Sequence, residues 1–341
     1  MTDFKGKIAF ITGSLSGGGL GQAQVFGEAG MKLVLADFSE TNAGKVVDYF
    51  RKNGTPVHYI KLDVTNRDEY ARAADETERV FGSPPDLLLL TAGNNAFGPV
   101  EAATFDDFDF VVDLCFGGVV NGLVTFVPRM IKAGKGGHIA ATLSMGLFKT
   151  PPMVGPYSAA KAASLNLLEC YKWALRDYDI GVSALLPALI NSATLDGERL
   201  YRRGGGRPER YKNTGFYYSP DPEPESPEEE TGMEPRVLAE WLKKGIEDNQ
   251  FLIVPFKSAT RIVQLHVQRL IDYTTPEGTR KVEAEYDAPM SEEWQRLNFE
   301  MDGYVRARGE VEGPDADPNI GKAAIGIDWV SPAKRSKPVH E

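Results

Sequence analysis

Cysteine is scarce. Two cysteines in 341 residues exclude a fold framed by disulfides. Cys115 and Cys170 both lie in helix-like apolar stretches, which reads as free thiols in a reducing cytoplasm. Histidine is scarce too: the four residues at 58, 138, 266 and 340 have no ligand spacing, so no metal site is expected. A lysine- or arginine-rich block is also lacking, and the formal net charge is −10. That sets aside nucleic acid and anionic membranes as main partners. No apolar run approaches the roughly eighteen residues that a membrane span needs. The chain enters a core-like strand at Lys7–Ile11, leaving no room for a signal peptide. These absences point to the cytoplasm.

What is present is an alternation. Short apolar runs at Ile8–Ile11, Leu33–Ala36, Val57–Leu62, Leu87–Leu90, Ile139–Leu143 and Val182–Leu186 are bounded by Gly, Pro, Asp or Asn. Such runs suit strands buried on both faces. Between them, Gly21–Gly30, Ser39–Asn53, Asn66–Phe81, Phe105–Ala133 and Pro156–Tyr178 have helical length. Thr65-x-x-Asp68 and Thr104-x-x-Asp107 are expected capping boxes. The pattern predicts an α/β fold, a parallel sheet covered by helices on both sides.

Two stretches carry chemistry. The first strand runs into Thr12-Gly-Ser-Leu-Ser-Gly-Gly-Gly-Leu-Gly21 and then a helix. Gly13, Gly17 and Gly19 permit a tight turn and let backbone N–H groups approach a pyrophosphate at the helix N-terminus. The second strand ends at Asp37, whose carboxylate suits a ribose 2′-hydroxyl and repels a 2′-phosphate. Phe38 follows, where a guanidinium would have favoured the phosphate, so the expected cofactor is NAD. The other stretch is Ser144–Lys161. If it opens a helix, Tyr157 and Lys161 stand at i and i+4 on one face. A cation there favours the phenolate and lowers the tyrosine pKa toward that of a general base. Ser144, at the end of an apolar run, is placed to hydrogen-bond the substrate oxygen. That set suits hydride transfer between an alcohol or ketone and a bound cofactor. Tyr-x-x-x-Lys alone recurs by chance in helices, and the strand–loop–helix context is what makes it count.

With these motifs in order, the chain resembles the short-chain dehydrogenase/reductase family, whose T-G-x-x-x-G-x-G stands at Thr12–Gly19. Leu62-Asp63-Val64, Thr91-Ala92-Gly93 and Pro187-Ala-Leu-Ile190 match further family segments. The resemblance implies a Rossmann-type doubly wound sheet. Catalysis then falls to Ser144, Tyr157 and Lys161, with Lys161 also holding the cofactor ribose. The cofactor-binding positions it implies are Gly13, Ser16, Gly17, Gly19, Leu20, Asp37, Phe38, Asp63, Val64, Thr91, Ala92, Gly93, Tyr157, Lys161, Pro187, Ile190 and Ser192. The family's fourth catalytic residue, an Asn, aligns with Cys115. There the Asn shapes a bend in the long helix so that a backbone carbonyl holds a water leading to the lysine; Gly117 and Gly118 are expected to permit the bend here. Ala188, Thr91 and Gly18 are smaller departures. Longer segments, including Asn121–Met130, Gly155–Ser164 and Gly245–Phe256, are similar to a bacterial subgroup. It contains Cα-dehydrogenases that oxidise the benzylic alcohol of lignin-type β-aryl ethers with NAD. The family usually pairs the helices equivalent to 105–133 and 157–177, implying a homodimer or homotetramer.

Residues 1–192 are thus expected to form the NAD-binding core with the catalytic residues. Residues 193–235, basic and Gly-rich and then acidic and Pro-rich, read as a substrate loop or lid. Tyr201, Tyr211, Phe216, Tyr217 and Tyr218 either pack that lid down or line an aryl pocket. Residues 236–275 supply a helix at Val237–Asp248, the last strand at Phe251–Pro255 and an added helix at Thr260–Tyr273. Residues 276–341 form a C-terminal extension, with a helix expected at Ser291–Arg308 and a loose tail. The expected function is NAD-dependent oxidation of a secondary, bulky aryl or benzylic alcohol, or the reverse. An NADPH-dependent ketoreductase and an impaired NAD-binding sensor stay open as alternatives.

Overall fold

The computed structural model describes residues 1–96, 100–150, 154–188, 190, 233–255 and 259–287. Seven parallel strands form one sheet in the order β3-β2-β1-β4-β5-β6-β7. They are β1 (Ile8–Thr12), β2 (Lys32–Asp37), β3 (Val57–Lys61), β4 (Leu87–Leu90), β5 (Gly137–Thr142), β6 (Ile180–Leu185) and β7 (Leu252–Ile253). Every residue of β1 and β4 is buried, as helices on both faces require. Strand order reverses between β1 and β4, the crevice where open α/β sheets bind ligands at their carboxyl ends. The helices are α1 (Gly17–Glu28), α2 (Ala43–Lys52), α3 (Arg67–Phe81), α4 (Phe105–Val112), α5 (Gly118–Ala133), α6 (Gly146–Lys149), α7 (Gly155–Ala174), α8 (Pro235–Glu247), α9 (Ala259–Asp272) and α10 (Pro276–Asp287).

Several boundaries differ from expectation, each for a local reason. Helix α1 opens at Gly17, not Gly21, because packing outweighs the poor helix propensity of glycine. A Cβ at Gly19 would stand 2.1 Å from the Gly13 carbonyl, and Gly13 itself takes a left-handed φ of +66°. The Thr104–Asp107 capping box forms on α4. The Thr65 box does not. Asn66 caps α3, its side chain accepting the Asp68 and Glu69 N–H groups at 3.0 and 3.1 Å. The Thr65 hydroxyl turns back to Asp63 Oδ1 at 2.8 Å. A carboxamide one position later reaches both amides, and an Asx cap is among the strongest.

Helix α10 was not expected from the pattern, because its surface is charged and Val282 is its one hydrophobic residue buried among the described positions. The signal it did carry is Thr275 ahead of Pro276: Thr275 Oγ1 accepts the Gly278 N–H at 3.0 Å, with proline at the first helical position. The helix expected at Ser291–Arg308, the tail and almost all of 193–235 lie outside the described residues.

The expectation that nothing apolar is long enough to span a membrane is corrected at Phe105–Ala133. That stretch has a window of mean hydropathy 1.9, and half the window is buried inside the protein. Its apolarity serves the sheet: Val119, Leu123, Phe126 and Met130 are buried on α5, and Phe126 packs on Phe10 of β1 with ring centroids 4.5 Å apart.

Candidate active site

The long helix between β4 and β5 is not uniform. Between α4 and α5, Asp113–Gly117 forms a single π turn, with the Gly118 N–H bonding back to the Asp113 carbonyl. The turn bends the helix beside the β4 loop, a position where such insertions recur at functional sites. Gly117 and Gly118, expected to permit the bend, keep ordinary helical φ of −55° and −59°. Gly118 is required for closeness instead: a Cβ there would lie 2.9 Å from Val64 Cγ2. Two hydroxyls pin the turn. Tyr70 donates to the Gly118 carbonyl at 3.0 Å, and Ser164 shares its proton between the Ala160 carbonyl at 2.9 Å and the Cys115 carbonyl at 3.4 Å. The buried Cys115 thiol donates to the Asn94 carbonyl at 3.1 Å.

Tyr157 and Lys161 share one face of α7. The Lys161 ammonium lies 5.4 Å from the centre of the Tyr157 ring and is itself only 3% exposed. It donates to the Thr142 carbonyl at the end of β5, at 2.8 Å. Ser144 follows two residues later, hydrogen-bonded to Tyr157. Its oxygen accepts the Gly146 N–H at 3.0 Å. The expected drop in the Tyr157 pKa does not appear in the protein alone. Burial pushes the phenol above its ordinary value, the Lys161 ammonium pulls it down, Cys115 pushes it up, and the Ser144 hydrogen bond pulls it down. Desolvation of the phenolate outweighs a single cation four residues away.

The positions expected to bind the dinucleotide gather along the same carboxyl edge. Ser16 stands at the N-cap position of α1 without a side-chain capping bond, and the first-turn amides have no partner within the helix; Leu20 packs its side chain on the core. Asp37 is held by backbone N–H groups, from Leu15 to Oδ2 and from Ser39 to Oδ1, both at 3.0 Å. This ties the carboxylate to the glycine loop. Phe38 beside it is 68% exposed. Val64, buried, accepts the Asn121 side-chain amide at 2.9 Å, locking the β3 exit to α5, while Asp63 is engaged by the Thr65 N–H at 3.0 Å. Thr12 Oγ1 accepts the N–H groups of Thr91 and Ala92 at 2.9 and 3.0 Å, joining the β1 and β4 loops. A Cβ on Gly93 would be 3.3 Å from Lys161 Nζ and 3.4 Å from Cys115 Sγ. Pro187 accepts the Met145 N–H at 2.8 Å, and Ile190 forms a parallel bridge with Met233. Ser192 lies outside the described residues.

Three polar residues that were not singled out from sequence support this site. Thr91 donates to Gln22 Oε1 at 2.6 Å, Gln22 Nε2 donates to Thr142 Oγ1 at 3.2 Å, and the two threonine hydroxyls meet at 3.1 Å. The ring fixes the strand end whose carbonyl holds Lys161. Ser158, next to Tyr157, donates to the Gly146 carbonyl at 3.0 Å. The available signal was Gln22, an amide set between Gly21 and Ala23 in the first turns of α1, where burial demands a partner.

Comparison with known proteins places the chain in a family. Residues 7–200 match the short chain dehydrogenase family. The chain is 45% identical over 291 residues to the C alpha-dehydrogenase of Sphingobium sp. (strain NBRC 103272 / SYK-6), covering 83% of this chain and 93% of that one. The crystal structure of the LigD apo form from Sphingobium sp. strain SYK-6 is 43% identical, with a TM-score of 0.66 over 80% of this chain and 100% of that one. A short-chain dehydrogenase/reductase from Burkholderia phymatum in complex with NAD is 28% identical, with a TM-score of 0.68 over 79% of this chain and 96% of that one. The chain therefore belongs to the short-chain dehydrogenase family of oxidoreductases.

Proposed function

We propose that this chain uses NAD to oxidise a secondary benzylic alcohol, carried on a bulky aryl ether, to the ketone. The observation that carries the reading is the assembly of Ser144, Tyr157 and Lys161 around one point at the sheet's carboxyl edge. The likeness to a C alpha-dehydrogenase supplies the substrate class. The residues fit the cofactor. The first turn of α1 presents amides to a pyrophosphate, and only glycine fits at 19. Asp37, with both oxygens aligned by backbone N–H groups, suits a ribose diol and repels a 2′-phosphate. Bound NAD supplies the acceptor for the hydride from the carbinol carbon. Tyr157 takes the hydroxyl proton as the C=O bond forms, and Ser144 steadies that oxygen. Lys161 offsets the phenolate charge and holds the ribose, and the carbonyl of Cys115 serves the water that leads to it.

The lid role expected of 193–235, almost all of which lies outside the described residues, is tested by deletion. Removing residues 219–232 raises KM for large aryl alcohols more than for small ones; an equal effect on both would assign the segment a purely structural role. Two copies pair through α7, which turns Ala159, Ala162, Ala163, Cys170 and Trp173 outward, Trp173 being 66% exposed. Light scattering reads the assembly.

The deciding experiment is NADH absorbance on mixing the protein with each cofactor and a panel of aryl, steroid and aliphatic secondary alcohols. Fast turnover of aryl alcohols with NAD is expected. Equal or better kcat/KM with NADP, or no preference for the aryl compounds, overturns the corresponding part.

A further inference from the structure

Helix α9, beyond the segment matched to the family, reaches back to the loop that carries Ser144. Arg269 Nη2 donates to the Phe148 carbonyl at 3.1 Å and to Thr150 Oγ1 at 3.4 Å. The same nitrogen lies 3.0 Å from His266 Nδ1. Arginine has donors only, so that ring nitrogen is the acceptor and carries no proton. The His266 ring meets Phe148 edge-on, with centroids 5.4 Å apart. Both grips fall on the end of α6, a helix of four residues, too short to hold itself. It closes on Thr150 at φ +47°, a left-handed conformation that a β-branched residue keeps only when its surroundings enforce it.

From α6 the contacts run straight to the chemistry. The Gly146 N–H, at the start of the turn, is the donor to Ser144 Oγ, and the Gly146 carbonyl accepts from Ser158, the neighbour of Tyr157. While that N–H occupies the serine oxygen, the serine's own proton is left for the substrate oxygen and Tyr157.

We propose that Arg269 is a positioning residue for Ser144, holding α6 from its far end so that the Gly146 N–H stays on the serine oxygen. The inference rests on the catalytic reading of Ser144. It assigns α9, a segment outside the shared core, a direct part in the rate rather than in stability alone.

A double-mutant cycle tests it. Steady-state alcohol oxidation is measured for wild type, Arg269→Ala, Ser144→Ala and the double variant, with urea unfolding of each. Arg269→Ala is expected to lower kcat by about tenfold, a loss of alignment rather than of a reacting group. KM for NAD and the unfolding midpoint should stay near wild type. In the Ser144→Ala background the same change should cost nothing further. Added guanidinium should partly restore Arg269→Ala and leave the double variant unchanged. Equal losses in both backgrounds, or a rate loss that tracks the unfolding midpoint, overturn the proposal. Near-native turnover of Ser144→Ala would overturn the catalytic reading of Ser144 instead. Should Arg269→Ala not fold, Arg269→Lys, which keeps a donor for the Phe148 carbonyl, carries the cycle: a smaller loss with the same non-additivity supports the proposal, and additive losses refute it.

Discussion

At the scale of single residues, the site balances desolvation against charge. Burial raises the Tyr157 phenol, and Lys161 is the largest influence lowering it. The rise of kcat/KM with pH for alcohol oxidation should therefore move to higher pH in Lys161→Ala, where that cation is gone. The same variant should bind NAD more weakly. Tyr157→Phe should differ: kcat falls by at least ~10²-fold, the usual size of proton-transfer assistance, with NAD affinity nearly unchanged. Near-native turnover of Tyr157→Phe would remove tyrosine from the mechanism.

Cys115 belongs at this scale too. Its thiol is spent on the Asn94 carbonyl, a weak bond that neither mimics an amide nor blocks the carbonyl of the same residue. Cys115→Asn should raise kcat by less than about tenfold, ~1.4 kcal/mol of barrier. A wild type inactive on every alcohol and rescued by this change would identify the chain as an impaired enzyme serving as a sensor.

At the scale of elements, the π turn at Asp113–Gly117 is the part most exposed to failure. Its exit carbonyl, on Gly118, is met by the hydroxyl of the fully buried Tyr70. Tyr70→Phe removes this hydrogen bond at nearly unchanged volume, which should cost about 1 kcal/mol in a urea titration. A bend that depends on this bond should also lose activity in Tyr70→Phe; full activity with lowered stability would mean the turn holds without it. The element was half visible in the sequence. Its aligned Cys115 and the Gly117–Gly118 pair marked a bend, but the bend is a π insertion pinned by Tyr70 and Ser164, from α3 and α7. Spacing within one helix does not encode those partners.

At the scale of the whole molecule, the end of the sheet opposite the site holds a buried imidazole. His138 opens β5 with no exposed surface. Its Nε2 lies 2.8 Å from Ser183 Oγ, and that serine donates to the Gln250 carbonyl at 2.5 Å. The serine proton being used, Nε2–H must donate, and Nδ1 is left buried without a partner among the described residues. Burial, then the N-terminal charge and Lys172, depress its pKa to about 3. The unfolded chain has the ordinary value near ~6.5, so below that pH the unfolded state binds the extra proton. The stabilisation is therefore complete above about pH 6.5 and is lost as pH falls toward about 3. The span amounts to a few kcal/mol, at about 1.4 kcal/mol per pKa unit. Urea midpoints between pH 4 and 8 should fall on the acid side for wild type and much less for His138→Gln. Parallel curves would show that other groups carry the acid sensitivity.

Strand identity and the grouping of the candidate site's side chains were legible in the residues. A strand buried on both faces must be continuously apolar, and Leu87–Leu90 admits little else. Proton handling needs a phenol with a cation on its face, and the i, i+4 spacing of Tyr157 and Lys161 places them there whatever the rest of the chain does. The three-dimensional fold decided the matters that turn on distance across the chain. The Thr91–Gln22–Thr142 ring joins α1 to two strands, and Asn66 took the cap from Thr65 by reach. The sign of the Tyr157 shift follows from burial, which no local spacing reports, and Arg269 meets Phe148 only because α9 folds over α6. Local periodicity and residue chemistry are properties of a segment. Hydrogen-bond partners, desolvation and close approach are properties of the packed whole.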